Sequence, residues 1–246
     1  MTTPSQQPPV PYPHVQSPLT AGLIVLAGTP DDASWVDRQL VTIAQLSADL
    51  ITPVAYASVT AYRDDAVATV ATSSEIARAV DQAQYDEQDG PCLEALDTAS
   101  PVAVPEVAAT MRWPGFRDTA YRLGVRASLS IPLFAGRGTA VAALNLYGRH
   151  PAALAPLTAA VWATYDPGGP DASAQRHGLD DGSEALTAGL AGAFAVRARI
   201  QQAIGVIMET THGTPDTAYL NLRMRAAEAG TTLIDAATAV MDELHL

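Results

Sequence analysis

Lysine is missing from this chain altogether. All 14 basic residues are arginine, set against 26 acidic ones, for a net charge of −12 over 246 residues. A charge of that sign opposes non-specific attraction to nucleic-acid phosphates, so any such contact must be local and salt-sensitive. Cysteine is nearly as scarce: Cys92 is the only one, which excludes an intrachain disulfide and suits a reducing cytosol. No apolar run reaches the roughly 18 residues needed to span a bilayer, so no membrane partner is expected. The start of the chain has no basic segment followed by a long apolar one, so no secretory signal is read there. Chemistry-bearing patterns are absent too. There is no phosphate-cradling glycine loop and no nucleophile elbow. His14, His150, His177, His212 and His245 are too scattered for a metal site. The run Asp166-Pro167-Gly168-Gly169-Pro170-Asp171 has two prolines and no following Lys or Ser, and reads as a surface loop. These absences predict a cytoplasmic binding protein rather than an enzyme, with no metal and no cofactor that the sequence can name.

What is present divides the chain. Residues 1–20 hold six prolines among polar residues and predict a disordered leader. Asp31-Asp32 are read as opening a helix with Val36, Leu40, Ile43 and Leu50 on one face, closed by Pro53. The period then changes to that of strands: 58–62 and 66–70 about a turn at Asp64-Asp65 predict a hairpin. Helices are expected over 75–83, from Pro91 onward and over 113–123. Further strands are expected at 102–104, 127–131 and 141–147, the last two joined by a turn at Gly136-Arg137-Gly138. Strands that pair with one another while helices interrupt them predict an α+β domain around an antiparallel sheet.

The last sixty residues are different. Apolar residues recur three and four apart through Ala193–Met208, Ala218–Ala226 and Leu233–Met241, which predicts three amphipathic helices packed as a small bundle. His212-Gly213 ends the first, and Thr214-Pro215-Asp216 supplies a capping oxygen, a first-turn proline and an acid for the second. Gly205, inside the first helix, costs about 1 kcal/mol relative to Ala and is read as admitting a close helix neighbour. The pattern runs without a breaker from Glu184, and Leu186, Ala193, Ile200 and Ile207 are spaced by seven. A parallel two-chain coiled coil and an intramolecular packing stripe both fit that spacing, and the coiled coil is the favoured expectation.

Two stretches carry family resemblances. Arg199-Ile200-Gln201-Gln202-Ala203-Ile204-Gly205-Val206-Ile207-Met208-Glu209 resembles the first helix of an ANTAR domain, Asp216–Arg223 its second, and Leu233–Ala237, weakly, its third. Upstream, Gln88–Ala95, Arg112-Trp113-Pro114-Gly115-Phe116, Gly124–Leu133 and Ala143–Tyr147 resemble a GAF domain of the kind found in actinobacterial regulators. The resemblance implies an N-terminal GAF domain, an antiparallel sheet with flanking helices, joined by a long helix to a C-terminal three-helix ANTAR bundle. The expected division is leader 1–20, GAF sensor 30–165, linker 166–183 and ANTAR 184–246. It also implies a homodimer that binds paired hairpins in nascent RNA and prevents transcription termination, with a small molecule or redox state sensed by the GAF domain. The alternative is a signalling or dimerisation scaffold whose bundle no longer binds RNA. Two departures favour that alternative: Thr232-Leu233-Ile234-Asp235 stands where the family has a Lys-Leu-Arg-Asp type of run, and Ala227-Glu228 where it often has Ser-Gln.

The bundle's only cations are Arg197, Arg199, Arg223 and Arg225, which makes them the candidate RNA contacts; a solvated helix face with ion pairs is the competing reading. Cys92, in the first turn of a helix, is a candidate redox sensor or attachment site if its thiol pKa is lowered, and otherwise a small buried apolar residue. Trp113 with Phe116 lines a ligand pocket or belongs to the core.

Overall fold

The computed structural model describes residues 17–63, 66–166 and 178–243. Residues 1–16 of the expected leader, the Asp64-Asp65 turn, residues 167–177 of the expected linker, His14, His177 and His245 lie outside these. The centre is an antiparallel five-stranded sheet in the order β2-β1-β5-β4-β3, built from β1 (Tyr56–Arg63), β2 (Ala66–Thr72), β3 (Val102–Val104), β4 (Ala127–Ala135) and β5 (Thr139–Gly148). One face is apolar, with Ala57, Val59, Leu129, Ile131, Leu144 and Leu146 fully buried. Helices α1 (Pro18–Ala27), α2 (Val36–Leu50), α6 (Pro151–Tyr165) and the first half of α7 (Asp181–Thr211) join its core. The other face is polar along its middle and lies beneath α3 (Glu75–Asp86), α4 (Pro91–Thr98) and α5 (Pro114–Arg122).

The expected α+β domain and its order of elements are found, with three corrections on the α1–α2 side. The leader does not extend to residue 20: Pro18 occupies the first turn of α1, where its missing N–H costs nothing, and Leu19, Leu23 and Leu26 are buried. The Thr20 hydroxyl donates to the Ala185 carbonyl at 2.8 Å, tying α1 to α7. Asp31 and Asp32 do not open α2, which begins at Val36 without a side-chain cap. Leu50, expected to face inward with Val36, Leu40 and Ile43, is instead exposed.

Helix α7 spans both halves of the molecule. Asp180 caps it, accepting from Ser183 N at 3.1 Å and Thr52 N at 2.6 Å, and His212 closes it at φ +52°. At about 1.5 Å per residue its 31 residues reach roughly 46 Å. Leu186 and Leu190 belong to the sheet-side core, whereas Ile200, Ala203 and Ile207 join α8 (Pro215–Ala229) and α9 (Leu233–Glu243) in a bundle core with Tyr219, Leu222, Leu233 and Ala237. The heptad residues Leu186, Ala193, Ile200 and Ile207 are thus all buried inside one chain, and the seam expected for a parallel coiled coil is taken up by intramolecular packing. The glycines exchange roles as well. A Cβ on Gly205 would meet nothing, so no neighbour packs close there; a Cβ on Gly189 would lie 2.6 Å from Leu23 Cδ1 and 3.1 Å from Thr20 Cα. Close helix approach is therefore required between α7 and α1, not at Gly205.

Candidate functional site

Strand register assembles a polar patch on the second face of the sheet. Ser58 stands opposite both Thr72 and Asn145, and Asn145 opposite Ser130; in the adjoining row Tyr147 faces Tyr56 and Ser128. Alternate residues of a strand share a face, so these side chains line the side under α3 and α4. Onto it α3 lowers Ala77, Val80, Asp81 and Gln84, spaced as one buried helical stripe.

Asp81 is fully buried. One carboxylate oxygen accepts from the Tyr147 hydroxyl at 2.5 Å, Ser58 Oγ at 3.0 Å and Asn145 Nδ2 at 3.3 Å, and the other from Thr69 Oγ1 at 2.8 Å. No ion-pair partner reaches it among the described residues. Burial pushes Asp81 up to about 6, against the four hydrogen bonds that favour its charged form. Around it, Tyr85 bonds Thr60 at 2.8 Å and Thr69 at 2.9 Å, and Gln84 Oε1 accepts from Cys92 N at 2.9 Å. Four buried polar atoms beneath the same helices, Asn145 Oδ1, Ser128 Oγ, Ser130 Oγ and Trp113 Nε1, find no hydrogen-bond partner among the described residues.

Cys92 lies in this core with no exposed surface, and burial, then the charge of Asp81, push its thiol well above the usual range. A reactive thiolate needs the opposite environment, so the geometry fits a packed cysteine rather than a redox sensor or attachment site. Trp113 is buried beside Phe116 in the same core, held at φ +52°, with the Arg112 guanidinium 4.2 Å from its ring centroid.

The four bundle arginines do not converge. Arg197 stacks over Phe134 of β4 at 4.0 Å. Arg223 grips Asp32 through both terminal nitrogens at 3.0 Å, and Arg225 bonds Asn221 and pairs with Glu243 at 3.2 Å. Arg199 is exposed. Residues 197 and 199, like 223 and 225, are two apart on a helix and point to different sides.

Sequence reasoning missed the junction between the two halves. Arg137, at the tip of the β4–β5 turn, donates to Asp31 at 3.1 Å and to Asp216 of α8 at 2.9 Å, and its carbonyl accepts from Gln201 of α7. The Tyr219 hydroxyl donates to Asp31 at 3.1 Å, and the Arg137 and Arg223 guanidiniums lie 5.6 and 5.8 Å from the Tyr219 ring centroid. Burial and then the Asp31 charge push Tyr219 up to about 12. Gly136 and Gly138 adopt φ of +52° and +85°, and added Cβ atoms would lie 2.8 Å from Asp31 N and 2.8 Å from Gln201 Nε2 respectively. The turn is tight because it fits against the bundle. Its two glycines signalled a turn in the sequence but not a partner.

The GAF domain model matches residues 36–162, and the ANTAR domain model matches residues 188–241. No curated protein matches the chain. Among solved structures, a domain titled as that of a two-component sensor histidine kinase protein from Sinorhizobium meliloti 1021 is 15% identical. That match covers 66% of this chain and 89% of that one, with a TM-score of 0.35. The sheet with α2 to α5 and most of α6 falls within the first match, and α8 with most of α7 and α9 within the second, while α1 and the start of α7 lie outside both: the chain belongs to the GAF domain family and carries an ANTAR domain behind it, joined through one continuous helix.

Proposed function

We propose that this protein is a cytoplasmic RNA-binding antitermination regulator, in which the GAF domain senses a small molecule and the ANTAR bundle, as a homodimer, binds paired hairpins in nascent RNA. The observation that carries the reading is the intact α7–α9 bundle over the ANTAR match, with the expected helix starts and a complete core. Two features support the sensor half. Asp81 and its hydroxyl partners form a polar centre on the sheet face beneath α3 and α4, and Asn145 Oδ1, Ser128 Oγ and Ser130 Oγ leave unmet hydrogen-bonding capacity beside it. Those unmet groups are what a small polar ligand would bond to on reaching this face, whereas the buried thiol of Cys92 does not support thiol chemistry.

The scaffold reading has a specific observation in its favour. Of the four candidate cations, Arg197, Arg223 and Arg225 are engaged within the chain. The deciding experiment is binding to a labelled RNA with two tandem small-loop hairpins at two salt concentrations, beside a loop-scrambled control. Loop-dependent, salt-sensitive binding supports the RNA reading. Equal binding to both RNAs, or none, favours the scaffold.

A further inference from the structure

Two of the bundle's four candidate RNA contacts are engaged by the GAF half. Arg223, one of its four cations, is held by Asp32 from the loop between α1 and α2, and Arg197 lies flat on Phe134. The register of β4 with β5 shifts between Leu133 and Phe134. Such a bulge lets two consecutive side chains face the same layer, so Leu133 enters the sheet-side core while Phe134 meets Phe194 of α7 at 6.1 Å and Arg197 at 4.0 Å. Thr232 and Ile234, which open α9, face a cleft of about 540 Å³ whose other walls include Val25 and Trp35. Arg223 on α8 and the start of α9 therefore look toward the GAF half, while Arg225 is turned to Glu243 of α9.

We propose that the Gly136-Arg137-Gly138 turn and the Asp31-Asp32 loop form an autoinhibitory clamp that holds the ANTAR bundle with part of its RNA-contacting side, Arg197, Arg223 and the start of α9, against the GAF half, and that activation is release of this clamp. The proposal rests on the RNA-binding reading and adds its regulation. The junction is built to open. Two of its ion pairs are solvent-accessible, with Arg137 at 46%, Asp216 at 78% and Asp32 at 63% side-chain exposure, and exposed pairs of this kind hold weakly; only Asp31, at 18%, is largely covered. An open cleft lies beside them where a permanent interface would be packed. Arg137 sits at the centre: it draws Asp31 of the GAF half and Asp216 of the bundle to one guanidinium, while its carbonyl holds Gln201. The turn also belongs to the two strands that carry Ser128, Ser130, Asn145 and Tyr147, so a ligand that alters their pairing acts on the clamp through the same hydrogen-bonded ladder.

The test uses the full chain and two substitutions outside the bundle, Arg137→Ala and Asp32→Ala. Arg137→Ala is the more incisive because it removes a positive charge: simple electrostatics predicts weaker RNA binding, whereas release of a clamp predicts stronger. Amide hydrogen exchange over α8 and affinity for the tandem-hairpin RNA are measured for the wild type and both variants, and near-ultraviolet circular dichroism checks that the GAF core is kept. The expected result is faster exchange over α8 together with a rise in affinity on the order of tenfold or more, as follows when a binding-competent state changes from minor to dominant. Unchanged exchange, or faster exchange with equal or weaker RNA binding, overturns the proposal. If neither wild type nor variants bind the hairpins at all, the RNA reading itself fails and the clamp has nothing to inhibit.

Discussion

Asp81 gives the sharpest quantitative test of the sensor core. Its carboxylate is raised from 3.8 to about 6 by burial without a counter-cation, a shift of about two units. At 1.36 kcal/mol per unit that corresponds to roughly 3 kcal/mol of folding free energy. The sign follows from proton counting. Below about pH 4 both folded and unfolded states are protonated and the group costs nothing. Between about pH 4 and 6 the unfolded state releases its proton while the folded state keeps it, so stability falls as pH rises. Above about 6 the loss is complete and constant. Asp81→Asn removes the titration while keeping the geometry, since its oxygen can replace the one that accepts from Tyr147, Ser58 and Asn145, and its NH₂ can donate to the Thr69 hydroxyl. Urea unfolding of both proteins from pH 4 to 7.5 is the assay. The difference in stability, Asn variant minus wild type, is expected to rise by about 3 kcal/mol across that window and then level off. Asp81→Ala, which strands the donors now aimed at the carboxylate, is expected to lie below the Asn variant by about 3 kcal/mol or more at every pH. A flat difference curve would show that the hydrogen bonds offset the cost of burial, and one that slopes the other way that they outweigh it; either would refute the account of an unpaired buried carboxylate.

Other consequences are more direct. Gly205→Ala, in an exposed helical position where a Cβ meets nothing, is expected to stabilise the protein by about 1 kcal/mol in thermal unfolding. Gly182→Ala drives a Cβ into the Leu50 carbonyl and to 2.8 Å from Ile51 N, so it is expected to lower the melting temperature by several degrees. Cys92 is expected to be inert to an aromatic disulfide reagent in the native state and to react stoichiometrically once urea unfolds the chain. Arg199→Ala is expected to weaken hairpin binding and reduce its log–log salt slope by about one, as for loss of a single phosphate contact; an unchanged slope removes Arg199 from the interface.

How much of this could be read from the sequence depended on which periodicities survive burial. The bundle helices were legible because each has one apolar stripe and recognisable ends at Thr214-Pro215 and His212-Gly213. Helix α1 was not, because a helix enclosed between α7 and the sheet is apolar nearly all round: Leu-Thr-Ala-Gly-Leu-Ile-Val-Leu-Ala has no polar face to set a period, and Pro18 looked like the last proline of the leader rather than the first residue of a helix. Helix α6, with Pro156 inside it and the same lack of a polar side, escaped for the same reason. The polar face of the sheet carries the opposite ambiguity. Ser58, Thr60, Ser128, Ser130 and Asn145 alternate with apolar residues as on a strand with one wet side, yet α3 and α4 cover that side and all five are buried. One signal was available: Asp81 falls on the stripe Ala77–Val80–Asp81–Gln84, where a carboxylate among inward-facing positions asks for a buried partner.

The junction was illegible for a deeper reason. Asp31-Asp32 have the composition of a helix start, Gly136-Arg137-Gly138 that of a hairpin turn, and Arg223 that of a solvated helix face, so each has a sufficient local explanation. Only the fold brings the three together around Tyr219. The same holds for the seven-residue spacing along α7, which satisfies a two-chain seam in sequence but serves two intramolecular cores in succession, the sheet side through Leu186 and the bundle through Ile200 and Ile207. One helix contributes to both cores, and its first half meets α1 at the close approach of Gly189 to Leu23 and Thr20, so a shift of α7 against α1 also moves the bundle side of the helix. Such a shift reaches the junction along α7 through Gln201, which donates to the Arg137 carbonyl, so it bears on the same residue whose exposed ion pair with Asp216 holds the clamp.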